Sequence, residues 1–98
     1  MEVPKKPLHP GTVIKTHILE PLGISVIELA HAISVPPNRL YLIIKGDREI
    51  SIDTAVRLGI YLNMSPEFWL NLQMDYQITQ YHRNHPETKS EITPLKTH

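Results

Sequence analysis

Apolar residues recur along this chain at spacings of three and four, and proline, glycine and serine interrupt them at intervals. That period belongs to amphipathic helices, and no stretch alternates as a half-buried strand does. Five helices are predicted. The first starts at Pro10-Gly11-Thr12 and continues to about Glu20, with Val13, Ile14, Ile18 and Leu19 mostly on one side. Pro21 should stop it, because the residue before a proline avoids helical angles. Leu22-Gly23-Ile24 then reads as a turn that can tuck Leu22 and Ile24 into the core.

The stretch from Ser25 to Gly46 predicts two short helices and a tight turn. Ser25 is a good N-cap and Glu28 follows three residues later, which makes a capping box. The helix it starts runs from Val26 to about Ile33, with Leu29, Ala30 and Ile33 on its apolar face. Ser34-Val35 is the turn, and Pro36-Pro37 restarts the chain. Proline fits a first helical turn, where its missing N–H has no partner to lose. The next helix extends from Pro37 to about Lys45 and buries Leu40, Ile43 and Ile44. Lys45 and Gly46 close it, a cation in the last turn and a glycine beyond it. Two helices so short and so closely joined predict a helix-turn-helix.

Asp47-Arg48-Glu49 is a polar loop, and Ser51 caps a fourth helix from Ile52 to about Leu62. Ala55, Leu58 and Leu62 mark its buried side, and Gly59 allows close packing at a small cost in helix propensity. Ser65-Pro66-Glu67 starts a fifth helix with a cap, a first-turn proline and a first-turn acid. It ends between Asp75 and Arg83, with Phe68, Trp69, Leu72 and Tyr76 among its large side chains. Residues 1–8 read as a flexible arm, residues 9–80 as one all-α domain, and residues 84–98 as a polar tail without order.

Bulk composition narrows the function classes. The chain has 98 residues, 41% hydrophobic and 20% charged, which suits one globular domain. Cysteine is absent, so stability must come from packing, as in a cytosolic protein, and thiol chemistry is excluded. No apolar run approaches a membrane span, and the N-terminus lacks the apolar stretch of a secretory signal, so a cytoplasmic protein is expected. The net charge is zero, but it is unevenly spread. The arm and the Pro37–Arg48 region are basic, while the fourth and fifth helices are acidic, a polarity that suits a small DNA reader.

The six histidines do not assemble a metal site. His82 and His85 are close enough to chelate, yet no third ligand lies nearby and Pro86 breaks the helix. His9, His17, His31 and His98 are scattered and expected to face solvent. A Ser25, His31 and Asp47 triad is only a coincidence of residue types, since Ser25 is already a cap. No cofactor and no enzymatic activity are expected.

The pattern Ser25-x3-Leu29-Ala30-x3-Ser34-Val35-x4-Leu40-x5-Gly46 resembles the Xre/Cro, lambda-repressor-like family of helix-turn-helix domains. That family usually carries glycine where Ser34 stands. His9-Pro10-Gly11, Glu20-Pro21-Leu22-Gly23, Pro36-Pro37-Asn38-Arg39-Leu40, Ile50-Ser51 and the run from Ser65 to Gln73 look more narrowly like HigA-type antitoxins of the VapI-like branch. The resemblance implies a five-helix bundle that binds operator DNA as a homodimer and represses its own operon. It also implies neutralisation of a HigB-like, RelE-fold mRNA-cleaving toxin. An orphan regulator, or an interaction module without a toxin partner, is the alternative.

In this motif the second helix enters the major groove with its N-terminal residues at base edges. Matched positions make Pro37, Asn38 and Leu42 the base-facing set, with Arg39 and Tyr41 beside them. Asn38 can pair with adenine and Arg39 with guanine or a phosphate, whereas Leu42 can offer only apolar contact. Ser25, Lys45 and Arg48 are expected at phosphates. Trp69 is expected in the core. Tyr61, Met64, Phe68 and Tyr76 are the candidate dimer surface, because one reader with so little positive charge needs doubling.

Overall fold

The computed structural model describes residues 8–96; the remainder of the N-terminal arm, Thr97 and His98 lie outside the described residues. The helical expectations hold in order, with no strand among the described residues. Helix α1 covers residues 10–22, α2 Val26–Ala32, α3 Pro37–Lys45, α4 Ile52–Leu62 and α5 Pro66–Asn84. A sixth, single-turn helix, α6, covers Thr88–Glu91 in the polar tail, where no order was expected.

Helix α1 departs from its prediction at Pro21. It begins as an α-helical turn, Pro10–Val13, widens to a π segment over Ile14–Leu19 and ends as a turn at Glu20–Leu22. In a regular helix the Pro21 ring would clash with the carbonyl four residues back. The wide register relieves that clash: the Glu20 N–H donates to the Lys15 carbonyl, five residues back. Gly23 then closes the helix at φ 65°. Because the helix runs past Pro21, Leu22 points outward and is 56% exposed rather than tucked into the core.

The start of α1 carries two further departures. His9 does not face solvent freely; its Nδ1 accepts from the Gly11 N–H at 2.9 Å and caps the helix. Its ring meets Tyr76 edge-on at a centroid distance of 5.0 Å, and burial lowers its pKa. Tyr76, a candidate for the dimer surface, is therefore half-buried against its own chain. Leu8, assigned to the arm, packs against the core. Gly11 lies where α1 crosses α3, and a Cβ there would run into the Ile43 carbonyl.

The core gathers Ile14, Leu29, Leu40, Ile43, Leu58 and Trp69, all fully buried. Each such side chain stabilises the fold by about 1.5–3 kcal/mol relative to exposure. Gly59 packs directly against the Met64 backbone, as its place inside α4 predicts. Gln73 on α5 secures the loop between α3 and α4: its amide Nε2 donates to the Ile50 carbonyl at 2.9 Å, and its Oε1 accepts from the Ile50 N–H. The loop that follows the second motif helix is thus bound to α5 by an amide acting as a short piece of backbone.

Candidate nucleic-acid interface

Helices α2 and α3 meet through the turn at Ser34. The capping box at Ser25 is present: Ser25 Oγ accepts from the Glu28 N–H at 3.0 Å, and Glu28 accepts in return from the Ser25 N–H at 3.4 Å. At the other end of α2, Ser34 adopts φ 57°. The Val35 N–H reaches the Ala30 carbonyl at 3.0 Å, so the turn has the geometry that glycine usually serves. Serine there is strained. Arg57 on α4 offsets the strain by donating from Nη1 to the Ile33 carbonyl at 3.1 Å and to the Ser34 carbonyl at 3.4 Å.

On α3, Asn38, Tyr41, Leu42 and Lys45 follow one another at spacings of three, one and three, so they line a single face. Asn38, Tyr41 and Lys45 are exposed and Leu42 is half-buried. Pro37, at the helix start, is half-buried. Tyr41 and Ser25 border one apolar groove floored by Leu19, Ile24, Val26 and Ile44. Ser25 and Arg48 are exposed, and Lys45 makes only a loose surface pair with Asp47 at 3.5 Å. The expected polar face therefore exists, with one exception.

Arg39 is not part of that face. Its Nη1 donates to Asp53 Oδ2 at 2.7 Å and to Thr54 Oγ1 at 3.4 Å, and its side chain is only 23% exposed. The other Asp53 oxygen, Oδ1, accepts from Arg57 Nε at 2.9 Å. These bonds hold the Asp53 carboxyl below its usual range, Arg57 contributing most and Arg39 next. Thr54 is fully buried and shares its hydroxyl with Ser51 at 3.1 Å. Asp53, Thr54 and Arg57 were missed as site residues. The Asp53/Arg57 pair of opposite charge four residues apart was the one signal available.

Of the proposed dimer residues, Tyr61 and Phe68 are exposed and Met64 is half-buried. Beside them α4 exposes Ile52, Val56 and Ile60 at intervals of four, a stripe the sequence reading passed over. Trp69 is fully buried, as expected. Among the described residues no His, Asp and Glu side chains gather to hold a metal ion; His85 instead stacks on Tyr81 and pairs with Glu87.

The sequence matches the helix-turn-helix family over residues 17–69, more than half the chain. It is 31% identical over 91 residues to the Vibrio cholerae antitoxin HigA-1, covering 93% of this chain and 86% of that one. The chain belongs to the HigA-type antitoxins. This HigA-type fold superimposes on the Coxiella burnetii addiction-module antidote of the HigA family with a TM-score of 0.86 at 35% identity, covering 92% of this chain and 99% of that one. The Pseudomonas aeruginosa antitoxin HigA, solved with the higBA promoter, gives a TM-score of 0.84 at 38% identity, covering 93% of this chain and all of its own.

Ser34 holds a left-handed backbone angle at the centre of the motif. Replacing Ser34 with Gly should raise unfolding stability by about 1 kcal/mol by relieving the left-handed strain. Ser34→Val should lower it, because a β-branched residue tolerates that angle worst. Urea unfolding midpoints check both directions.

Proposed function

We propose that this protein is an autoregulating repressor that binds palindromic operator DNA as a two-fold dimer and neutralises a HigB-like, RelE-fold toxin. The observation that carries the DNA reading is the single face of α3 that exposes Asn38, Tyr41 and Lys45, on a helix tied near its start to α4. Asn38 and Leu42 face base edges, and Pro37 sets the approach of the helix start. Tyr41 sits beside them over the Ser25 groove, where the N–H groups of α2 and the Ser25 hydroxyl meet a phosphate. Lys45 and Arg48 anchor phosphates downstream. No catalytic role is assigned, and the work is done in the cytoplasm. No helix among the described residues is long and apolar enough to cross a membrane.

The dimer surface is the α4 stripe of Ile52, Val56 and Ile60 extended by Tyr61, Phe68 and Met64. Exposed apolar side chains at such spacing favour burial against a second copy. A two-fold pair places two reading helices about one DNA turn apart. The toxin role follows from family membership, and its test is the adjacent gene: co-expression should give a stable complex with its product. An orphan regulator gives operator binding without that complex.

Gel shifts on the chain's own upstream region test the reading face. Asn38→Ala should cost about 1–3 kcal/mol and relax base preference at one position. Lys45→Ala should weaken binding to all sequences alike and lower the salt slope by about one. Loss of neither would show that α3 does not read DNA.

Ile60→Glu should convert the dimer to a monomer in analytical ultracentrifugation and weaken operator binding with it. A variant that remains dimeric would remove the α4 stripe from the interface.

A further inference from the structure

The two arginines that meet Asp53 come from different parts of the fold, and only one lies on the reading helix. Arg39 occupies the third position of α3, next to Asn38, yet its guanidinium turns to the N-terminus of α4. Asp53 is well placed to hold it. It lies in the first turn of α4, where the helix dipole favours a carboxylate. Both its oxygens are used, Oδ2 by Arg39 and Oδ1 by Arg57. Thr54 adds a further acceptor for Arg39 from a fully buried side chain. Lys45, by contrast, is 75% exposed and held only loosely.

We propose that Asp53 is a positioning residue for operator specificity: it keeps Arg39 off the DNA, so that α3 meets base edges without a sequence-blind phosphate anchor beside Asn38. The inference rests on the operator reading above. A guanidinium freed at the start of a reading helix can take a phosphate on any duplex, and such a contact carries no sequence information. Asp53 cancels that charge locally and ties the start of α3 to α4 through the same bond. Arg57 completes the arrangement by tying Asp53 to the Ser34 turn, so both motif helices refer to one carboxylate. With Asp53 in place the three charged groups sum to a single positive charge. Without it they sum to two, and Arg39 is released next to the groove.

Salt titrations of binding to the upstream duplex and to a scrambled duplex of equal length test this. Asp53→Asn should steepen the salt slope on both duplexes by about 0.9, the value for one added phosphate contact. It should strengthen binding to the scrambled duplex by up to about tenfold in low salt and lower the ratio of specific to scrambled affinity. Adding Arg39→Met to Asp53→Asn should return the slope to the wild-type value, and Asp53→Glu should retain it. Arg39→Met alone should leave the slope unchanged. A slope one contact shallower for Arg39→Met alone would place Arg39 on the DNA in the wild type and overturn the inference. So would an unchanged slope in Asp53→Asn that circular dichroism shows to be folded. Should Asp53→Asn fail to fold, the Arg39→Met and Asp53→Glu slopes still decide between the two. A wild type that does not distinguish the two duplexes defeats the operator reading itself, while one that does, with no effect of Asp53→Asn, defeats only the positioning role.

Discussion

Asp53 accepts from two arginines at once, 2.7 Å from Arg39 and 2.9 Å from Arg57, and the geometry of the reading head depends on that pairing. Helix α2 and helix α3 are short, and neither is long enough to be stable alone. Apolar packing through Leu29, Leu40 and Ile43 holds them on the core and sets which side of α3 faces inward. The Arg39 bond adds a polar tie from the start of α3 to the first turn of α4. Arg57 extends it to the Ser34 turn, where a residue other than glycine holds a left-handed angle. Substituting serine for the usual glycine and placing an arginine over the turn carbonyls are thus two parts of one local solution. Thr54 and Ser51 join the same cluster, so the α4 N-cap, the turn and the reading helix share a set of polar contacts.

A reading head of this kind carries few direct contacts. In the proposed complex Asn38 is the one strong hydrogen-bonding residue toward base edges, and Leu42 adds an apolar contact. The proposed phosphate anchors, Lys45, Arg48 and Ser25, would orient the helix without reading sequence. Specificity then depends on the spacing of two heads and on DNA shape as well as on base edges. As the proposed interface, the exposed stripe on α4 would set that spacing. Gln73 contributes from the other side: by pairing with the Ile50 backbone it fixes the loop that carries Arg48.

Much of this was written in local sequence. Ser25 with Glu28, Gly46 after Lys45 and Ser65-Pro66-Glu67 mark helix ends through contacts a few residues apart, and those ends appear as expected. The run from Ser65 to Gln73 identified the family, and two of its members, the buried Trp69 and the half-buried Gln73, close the core and pin the loop. What was not legible depends on distance or register. Pro21 reads as a stop, because nothing in its neighbours announces the wide turn that admits it. Arg39 reads as a free cation, because its partner lies fourteen residues away on another helix. His9 and Tyr76 each look exposed, and only the crossing of α1 and α5 brings them together. The α4 stripe was passed over because Ala55, Leu58 and Leu62 already supplied a buried face for that helix.

Native-state hydrogen exchange tests the central claim most directly, that α3 and α4 behave as one block joined at Asp53. In the wild type the amides of Leu40 and Ile43 should exchange with the same opening free energy as those of Leu58 and Gly59. In Asp53→Asn the α3 amides should separate and exchange through a lower-energy local opening, while those of α4 keep the global value. An α3 that already exchanges independently of α4 in the wild type would contradict the account.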